Sequence, residues 1–436
     1  MKQYAHYAEY LRRLVKEAHS SPDKASERVE AALNGEAKRK LGEAVPLQQR
    51  RAAGAFFTPQ AIADLAATNL KRELRDGACV YDPACGAGDL LLACTNHLPT
   101  QNSLAATLTQ WGRQLLGTDI HEEFVRAARA RLTLAAIDHK KTSGAMAQKR
   151  FAGIESGCGL GRADALTNAQ AVIMNPPFCR IQTPEGTTWT SGTVCSSAVF
   201  LDHVASAAKP RTKIVAVLPD VIRSGSRYEQ LRSKIAKTCS VISVTPLSRF
   251  DRHTDVHVFL LVLRKLKTPK RNGATWPAGV ICGADSVGDK FQVSVGPVVD
   301  YRDPKKGPWS PFFRASGLPA WSVVRREYPK RRFSGRIVKP PVVVIRRTSR
   351  PEDKFRAIGT IIAGKTSVAV ENHLIILQPK DGLLRTCREL LSVLQADQAT
   401  EWLNRRIRCR HLTVDAIRDL PWVSSSRVSS ATVSDA

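Results

Sequence analysis

The sequence lacks any long hydrophobic run. Its longest uninterrupted apolar stretch, residues 258–263, has six residues, whereas a membrane-spanning helix needs about 20. The N-terminal residues 1–4, MKQY, also lack the apolar core of a signal peptide. We therefore expect a soluble, cytoplasmic protein with no membrane partner.

Cysteine pairing patterns are also absent. None of the ten cysteines stands in a C-x-x-C pair, and no Cys/His cluster has zinc-finger spacing. Cysteines scattered through apolar stretches are typical of reduced, buried thiols. We predict neither a structural metal nor a disulfide framework.

Acidic residues are outnumbered, with 39 Asp and Glu against 66 Lys and Arg, a formal net charge of +27 and a pI of about 10. This excess favours a polyanionic partner, most often nucleic acid, and hence an association with the nucleoid. A ribosomal protein or a merely basic surface would share the charge. The hydrophobic content of 43% excludes a mainly disordered or fibrous chain.

The order of predicted elements divides the 436 residues into four segments and one linker. Residues 1–45 are predicted to be a helical N-terminal arm, and residues 46–266 alternate strand-like and helix-like pieces, as in a Rossmann-like, doubly wound α/β sheet. A polar stretch rich in Pro and Gly, 265–279, is predicted to be a linker. Residues 280–423 favour a basic α+β domain, and the Ser-rich residues 424–436 a disordered tail.

The predicted elements have definite positions. In the larger segment the strands are predicted at 78–81, 114–117, 171–174, 213–218, 241–245 and 257–263, with helices at 122–136 and 198–208. In the C-terminal segment they are predicted at 341–345, 358–362 and 374–377, followed by a helix over 383–408.

A glycine-rich turn, DPACGAGD, follows the first predicted strand. Gly86 and Gly88 allow a tight turn and a close approach to a ligand, and the amides that open the next helix face that ligand. Asp82 would repel a pyrophosphate but suits the ammonium of a methionine moiety, as in S-adenosylmethionine. We predict that Asp82, Ala84, Gly86 and Gly88 bind this cofactor. An ordinary tight turn is the alternative.

Two further acids extend the predicted cofactor site. Asp119 ends the next strand, where an acid of this fold accepts hydrogen bonds from ribose hydroxyls, and Ile120 could pack on the adenine ring. A helix cap is the alternative for Asp119, because Glu122 stands three residues further on. Asp164 is predicted to accept a hydrogen bond from the adenine amino group of the cofactor, a solvated loop acid being the alternative.

A second motif, Asn-Pro-Pro-Phe at residues 175–178, follows the fourth strand. Two prolines leave this loop without backbone donors and hold it rigid. The Asn175 side-chain oxygen and the Pro176 carbonyl then face one exocyclic amino group and draw its nitrogen toward a tetrahedral, nucleophilic state. Phe178 offers a face for a planar substrate. We predict that Asn175, Pro176, Pro177 and Phe178 are catalytic. A structural turn is the alternative.

These motifs together resemble the amino-methyltransferases, and a third element narrows the family. The sequence GAFFTP at residues 54–59 is similar to the G-x-F/Y-Y/F-T-P element of N6-adenine DNA methyltransferases of the gamma arrangement, which include type I modification subunits and solitary type II enzymes. The resemblance covers roughly residues 46–265. It implies that Phe57, Thr58 and Pro59 close over the methionine end of the cofactor.

The resemblance also implies a reaction and a partner. A methyl group would pass from S-adenosylmethionine to N6 of adenine in duplex DNA, by base flipping and direct displacement, with no metal. Transfer to RNA or to a protein glutamine, and an inactive DNA-binding subunit, remain open alternatives. A separate specificity or restriction subunit as a partner also remains open.

The C-terminal segment is expected to recognise the target. Between residues 325 and 350 there are ten Lys or Arg and one acid. The residues predicted to contact DNA are Arg325, Arg326, Lys330, Arg331, Arg332 and Arg336. Phe250 is predicted to pack against the flipped adenine, with a role in the core as the alternative.

Overall fold

The computed structural model describes residues 2–140, 150–251, 256–271, 276, 285–325 and 328–422. The chain divides into two compact units, the first formed by Met1–Arg223 and Arg227–Trp276 and the second by Ser224–Ser226 and Pro277–Ala436. Arg326, part of the predicted linker and the predicted tail lie outside the described residues. No described helix is long and apolar enough to cross a membrane.

The first unit contains a seven-stranded sheet whose strands we number in chain order. They are β1 (Val80–Asp82), β2 (Leu115–Asp119), β3 (Ile154–Ser156), β4 (Ala171–Met174), β5 (Lys213–Pro219), β6 (Cys239–Arg249) and β7 (His257–Lys265). Their order is β3-β2-β1-β4-β5-β7-β6. All pairs are parallel except those of β7, which is antiparallel to β5 and β6. The strand order reverses between β1 and β4, which is where such sheets bind ligands.

Alternate residues of the central strands enter two separate hydrophobic cores. In β4, Ala171 and Ile173 belong to one cluster, whereas Val172 and Met174 belong to the other. Because side chains of a strand alternate between the two faces of a sheet, both faces are covered. This confirms the predicted doubly wound α/β fold.

Helices and short pieces connect the strands of the first unit. The α-helices are Gln60–Thr68, Lys71–Arg75, Asp89–Thr95, Leu104–Gln114, Glu122–Lys140, Ala163–Asn168, Ser196–Ala207, Asp220–Ser224 and Glu229–Thr238. Short 3-10 helices are Lys2–Tyr4, Gly159–Gly161 and Ser226–Tyr228. A hairpin, Arg180–Gln182 with Thr193–Cys195, follows the Asn-Pro-Pro-Phe loop.

The N-terminal segment shares the core of the first unit. Its helices are Ala5–Ser20, Pro22–Leu33, Glu36–Ala44 and Leu47–Ala53. The buried Tyr4 ring contacts Phe57 and Phe124, with centroid distances of 5.8 and 5.1 Å. Arg131 is fully buried and donates hydrogen bonds to Ala32 O at 2.9 Å and Ala87 O at 2.8 Å. One guanidinium therefore links the second helix to the glycine loop.

The second unit is α+β, as predicted. Its five-stranded sheet has the order Phe291–Val295, Leu374–Pro379, Val342–Arg346, Gly359–Ile362, Val323–Val324, and a three-stranded sheet has the order Lys330–Arg332, Trp309–Phe313, Ala369–Val370. Its helices are Val287–Lys290, Leu384–Gln395, Asp397–Arg406 and Val414–Arg418. The single helix predicted over 383–408 is two helices, because Ala396 has extended backbone angles.

Candidate active site

The glycine loop between β1 and its helix uses backbone conformations that favour glycine. Gly86 and Gly88 have φ of +52° and +84°. A Cβ at Gly86 would lie 3.0 Å from the Phe57 ring, and one at Gly88 would lie 3.0 Å from the Cβ of Ala128. The loop is therefore packed under Phe57, which ties the GAFFTP element to the glycine motif.

Asp82 lies at the base of this loop and is 1% exposed. Its Oδ1 accepts a hydrogen bond from Ala84 N at 3.0 Å. Burial raises the pKa of this carboxyl to about 8, against the lowering effect of that backbone bond. A cation beside Asp82 would favour the ionised form.

Asp119 connects the end of β2 to the glycine loop. Its Oδ2 accepts from Gly86 N at 3.0 Å, and its Oδ1 accepts from His121 N at 2.8 Å. Burial raises the pKa of Asp119, whereas the two backbone bonds lower it. A carboxylate has about four acceptor positions, so two remain for other donors. The neighbouring Ile120 is 65% exposed.

Asp164 lies apart from these contacts. It stands in the first turn of the helix Ala163–Asn168, with an exposed side chain that forms an ion pair with Arg162 at 3.0 Å. The hydrogen bonds from Arg162 lower the pKa of Asp164. This environment agrees better with the alternative of a solvated acid than with an adenine contact.

The Asn175 amide is oriented by the GAFFTP element. Its Nδ2 donates to Thr58 Oγ1 at 2.9 Å and to Phe56 O at 3.4 Å. Because the Phe56 carbonyl oxygen can only accept a hydrogen bond, the Asn175 atom that faces it must be Nδ2 and not Oδ1. Asn175 Oδ1 is buried and has no hydrogen-bond partner within the described residues. This oxygen is therefore available to a donor from a ligand, and the catalytic role of Asn175 stays a prediction.

The two motifs also touch through their backbones. Gly54 has φ of +65°, and a Cβ there would lie 2.7 Å from Pro177 Cβ and 3.0 Å from Cys179 N. Only glycine allows this close approach. The element assigned to the cofactor from its sequence therefore also supports the Asn-Pro-Pro-Phe loop, through Thr58 and Gly54.

Ser197 is a residue that the sequence analysis missed. It is fully buried, and its Oγ donates to Pro177 O at 2.8 Å and lies 3.2 Å from Pro176 O. It therefore holds the two proline carbonyls of the loop. Its only signal was its position just before the predicted helix 198–208, which is too common to single out a residue.

Phe178 and Phe250 form an edge-to-face pair. Their ring centroids are 5.3 Å apart, with 73° between the planes. Phe178 is half-buried, whereas Phe250 is buried in the core of the first unit. Phe250 therefore has the core role that was left open and supports the ring beside Asn175.

The basic candidates of the second unit separate into two groups. Arg325, Lys330, Arg332 and Arg336 are exposed. Arg331, in contrast, is 4% exposed, pairs with Asp300, and donates to Asp303 O at 2.6 Å. The prediction of a DNA contact for Arg331 is corrected, since its guanidinium is bound inside the unit.

Across the described part of the chain, no group of three or more His, Cys, Asp or Glu residues could hold a metal ion.

The sheet order, with its antiparallel β7, and the loops after β1 and β4 define a Rossmann-like methyltransferase fold. The family model for N-6 DNA Methylase matches residues 44–277, more than half of the chain. The chain therefore belongs to the N-6 DNA methylase family.

Several solved structures are similar to this chain. The type I restriction enzyme EcoKI M protein is 21% identical, over 52% of this chain and 48% of that chain, with a TM-score of 0.39. The type IIG restriction endonuclease BpuSI is 13% identical, over 89% and 60%, with a TM-score of 0.41. The type IIL restriction-modification enzyme MmeI, in complex with DNA, is 11% identical, over 87% and 70%, with a TM-score of 0.49.

The chain spans about half the length of the EcoKI M protein. No curated protein matches the sequence.

Proposed function

We propose that the protein transfers a methyl group from S-adenosylmethionine to the N6 amino group of adenine in duplex DNA. The observation that carries this proposal is Asn175 Oδ1, a buried acceptor without a partner among the described residues. Such an acceptor costs free energy unless a ligand supplies a donor. An exocyclic amino group is such a donor, and membership of the N-6 DNA methylase family supports adenine as the base.

The residues after β1 and β2 fit S-adenosylmethionine. Asp119 keeps acceptor positions for ribose hydroxyls, and the exposed Ile120 offers an apolar surface to the adenine ring. Asp82 and the glycine loop under Phe57 would hold the methionine moiety, whose ammonium suits the carboxyl. When bound, this cofactor supplies an electrophilic methyl group on a sulfonium sulfur.

In this proposal the Asn-Pro-Pro-Phe loop positions the adenine. The base leaves the duplex and stacks on Phe178, which Phe250 supports from its edge. Its amino group donates to Asn175 Oδ1 and Pro176 O. Its nitrogen forms the new N–C bond to the methyl group as the bond from that methyl group to the sulfonium sulfur breaks, so that S-adenosylhomocysteine leaves and one N–H proton is released to solvent. The contribution of these residues is positioning and charge placement at the reacting nitrogen.

The proposed binding surface for DNA lies on the second unit. Arg325, Lys330, Arg332 and Arg336 expose their side chains there. Exposed cations of this kind contact phosphates and release condensed counterions, so they contribute affinity that falls with salt.

A labelled-methyl assay tests the proposal. The purified chain is incubated with S-adenosylmethionine carrying a labelled methyl group and with DNA from cells that lack adenine methylation, and the nucleosides are analysed by mass spectrometry. Label in N6-methyladenine is expected, and sequencing of the product gives the target sequence.

Parallel reactions with RNA and with a glutamine-containing protein substrate distinguish the alternatives. Label in either of those but not in DNA would overturn the proposal. Cofactor binding without transfer to any substrate would indicate a non-catalytic subunit, and recovery of activity on adding a specificity subunit would identify that partner.

A further inference from the structure

The three-stranded sheet of the second unit exposes one large aromatic side chain among cations. Trp309 is 67% exposed at the start of the strand Trp309–Phe313. This strand pairs antiparallel with Lys330–Arg332, with Trp309 opposite Arg332 and Pro311 opposite Lys330. Because directly opposite residues lie on one face, Trp309, Lys330 and Arg332 share the exposed face of this ladder.

The same alternation places the intervening residues on the other face. Ser310 and Arg331 are opposite each other and are both buried. The run Lys330-Arg331-Arg332 therefore contributes two cations to the exposed face and one to the interior.

A cavity of about 470 Å³ lies along this ladder. Its lining combines Trp309, Lys330 and Arg332 from the exposed face with Phe312 and Arg331 from the other face, and it also includes Lys305 and Arg314. None of its described lining residues is acidic. Its volume is within the usual range for small-ligand pockets, about 300–1,000 Å³. The cavity is therefore large enough for a nucleotide.

One side of the cavity is formed by a buried aromatic ring and the arginines that pack against it. The buried Phe312 ring has the Arg314 and Arg331 guanidiniums at 5.1 and 5.4 Å from its centroid. Asp300 pairs with both arginines, at 2.9 Å for Arg314. Asp300, which could otherwise repel a phosphate, is thus neutralised by Arg314 and Arg331.

We propose that Trp309 stacks on a nucleobase that is unstacked from its neighbours when the chain binds the target DNA, while Lys330 and Arg332 contact the adjoining phosphates. An indole with cations on the same face is the combination that binds nucleotides, because every base has a flat face and every nucleotide carries a phosphate. This inference rests on the proposed action on duplex DNA and adds a residue that contacts a base rather than the backbone.

The test compares variants at Trp309 in the full-length chain. Their affinity for a labelled duplex that contains the target sequence is measured by fluorescence anisotropy over a range of salt concentrations. We expect Trp309→Ala to weaken binding roughly tenfold without changing the salt slope, since base–aromatic stacking is independent of counterion release. Trp309→Phe should retain most of the affinity, whereas Trp309→Leu, apolar but not aromatic, should behave as Ala.

Two further variants serve as controls for Trp309→Ala. Tyr301 is also an exposed aromatic residue of this unit, at 88%, but it does not line the cavity. Tyr301→Ala should therefore bind within about twofold of the parent. Lys330→Ala should lower the salt slope by about one unit, as expected for a single phosphate contact.

The outcomes separate this inference from the proposed function. If the parent chain methylates and binds the duplex and Trp309→Ala binds it equally well, the inference is wrong and the proposed function stands. If Trp309→Ala lowers binding of single-stranded RNA or of an acidic protein but not of the duplex, the occupant is not DNA. If the parent neither binds nor methylates DNA, the proposed function itself fails. Thermal melting and cofactor binding, both expected to be unchanged, show that each variant is folded.

Discussion

The polar groups of the two units are held in different ways. In the first unit, hydrogen bonds with distant segments hold the polar groups. Asn175 donates to Thr58, whereas Asp119 and the Pro177 carbonyl accept from Gly86 and Ser197. In the second unit, Lys330 and Arg332 stand on an exposed strand face. Catalysis benefits from fixed acceptors that need no reorganisation, whereas phosphate binding needs cations that are exposed to solvent, because its energy comes from released counterions. The two arrangements therefore respond differently to substitution.

The largest effect on the rate of methyl transfer is expected at Asn175. Asn175→Ala removes the buried acceptor and should lower kcat about 100- to 1,000-fold, the usual cost of losing a positioned hydrogen-bonding group at a reacting atom. Cofactor affinity should stay nearly unchanged. Single-turnover methyl transfer and calorimetric titration measure the two quantities, and loss of cofactor binding in a folded variant would contradict the assignment.

A pair of variants at Thr58 sharpens this prediction. Thr58→Val cannot accept the hydrogen bond from Asn175 Nδ2, whereas Thr58→Ser can. We expect kcat to fall about tenfold in the Val variant, of the order of one lost hydrogen bond, and to be nearly restored in the Ser variant. Equal rates in both would show that Thr58 does not position Asn175.

The next effect is expected at Asp119. Asp119→Ala should weaken S-adenosylmethionine binding roughly ten- to hundredfold, because lost hydrogen bonds to two hydroxyls cost about 1–3 kcal/mol. Asp164→Ala is the matched control, since that acid is exposed and paired with Arg162. The affinity of the Asp164→Ala variant for S-adenosylmethionine should change less than about threefold. A larger loss at Asp164 than at Asp119 would reverse the assignment.

Arg331 and Arg332 should separate stability from DNA binding. Arg331→Ala leaves Asp300 without its buried partner and should lower the free energy of unfolding by about 1–3 kcal/mol. Arg332→Ala should leave stability within about 0.5 kcal/mol and reduce the salt slope of DNA binding by about one unit. Urea denaturation measures the stability of each variant, and salt titration measures its DNA binding. If Arg332→Ala lowered the stability and Arg331→Ala reduced the salt slope, the two strand faces would be assigned incorrectly.

The last effect concerns pH and Asp82. Its pKa is about 8 in the folded chain, against 3.8 as the ordinary value. Between these values the unfolded chain has lost the proton and the folded chain keeps it, so stability falls as pH rises toward 8 and then levels off. Asp82→Asn should remove this dependence, up to about 1.4 kcal/mol per pH unit. Denaturation of the cofactor-free protein from pH 5 to 9 checks it, and parallel curves for parent and variant would show that Asp82 ionises normally.

The sheet and the loop motifs could be read from short stretches of sequence. The strand predicted at 171–174 coincides with β4, and the fold class was correct, because buried parallel strands are short apolar runs whatever surrounds them. The loop at Asn175 could be recognised for a similar reason, since two prolines restrict the backbone locally, whereas the acceptor role of Asn175 stays a prediction. These features depend on neighbours along the chain.

The remaining features depend on residues that are distant in sequence. Ser197 lies 20 residues from Pro177, and Thr58 lies 117 residues from Asn175. The burial of Arg331 between two exposed cations follows from the register of a strand pair, in which a shift of one residue would reverse every side chain. Composition and local pattern supplied the fold class, the loops and the basic character. Only the tertiary packing determined that the Thr58 and Ser197 hydroxyls orient the loop and that Arg332, not Arg331, faces the solvent. Both outcomes depend on the residue that lies opposite in space.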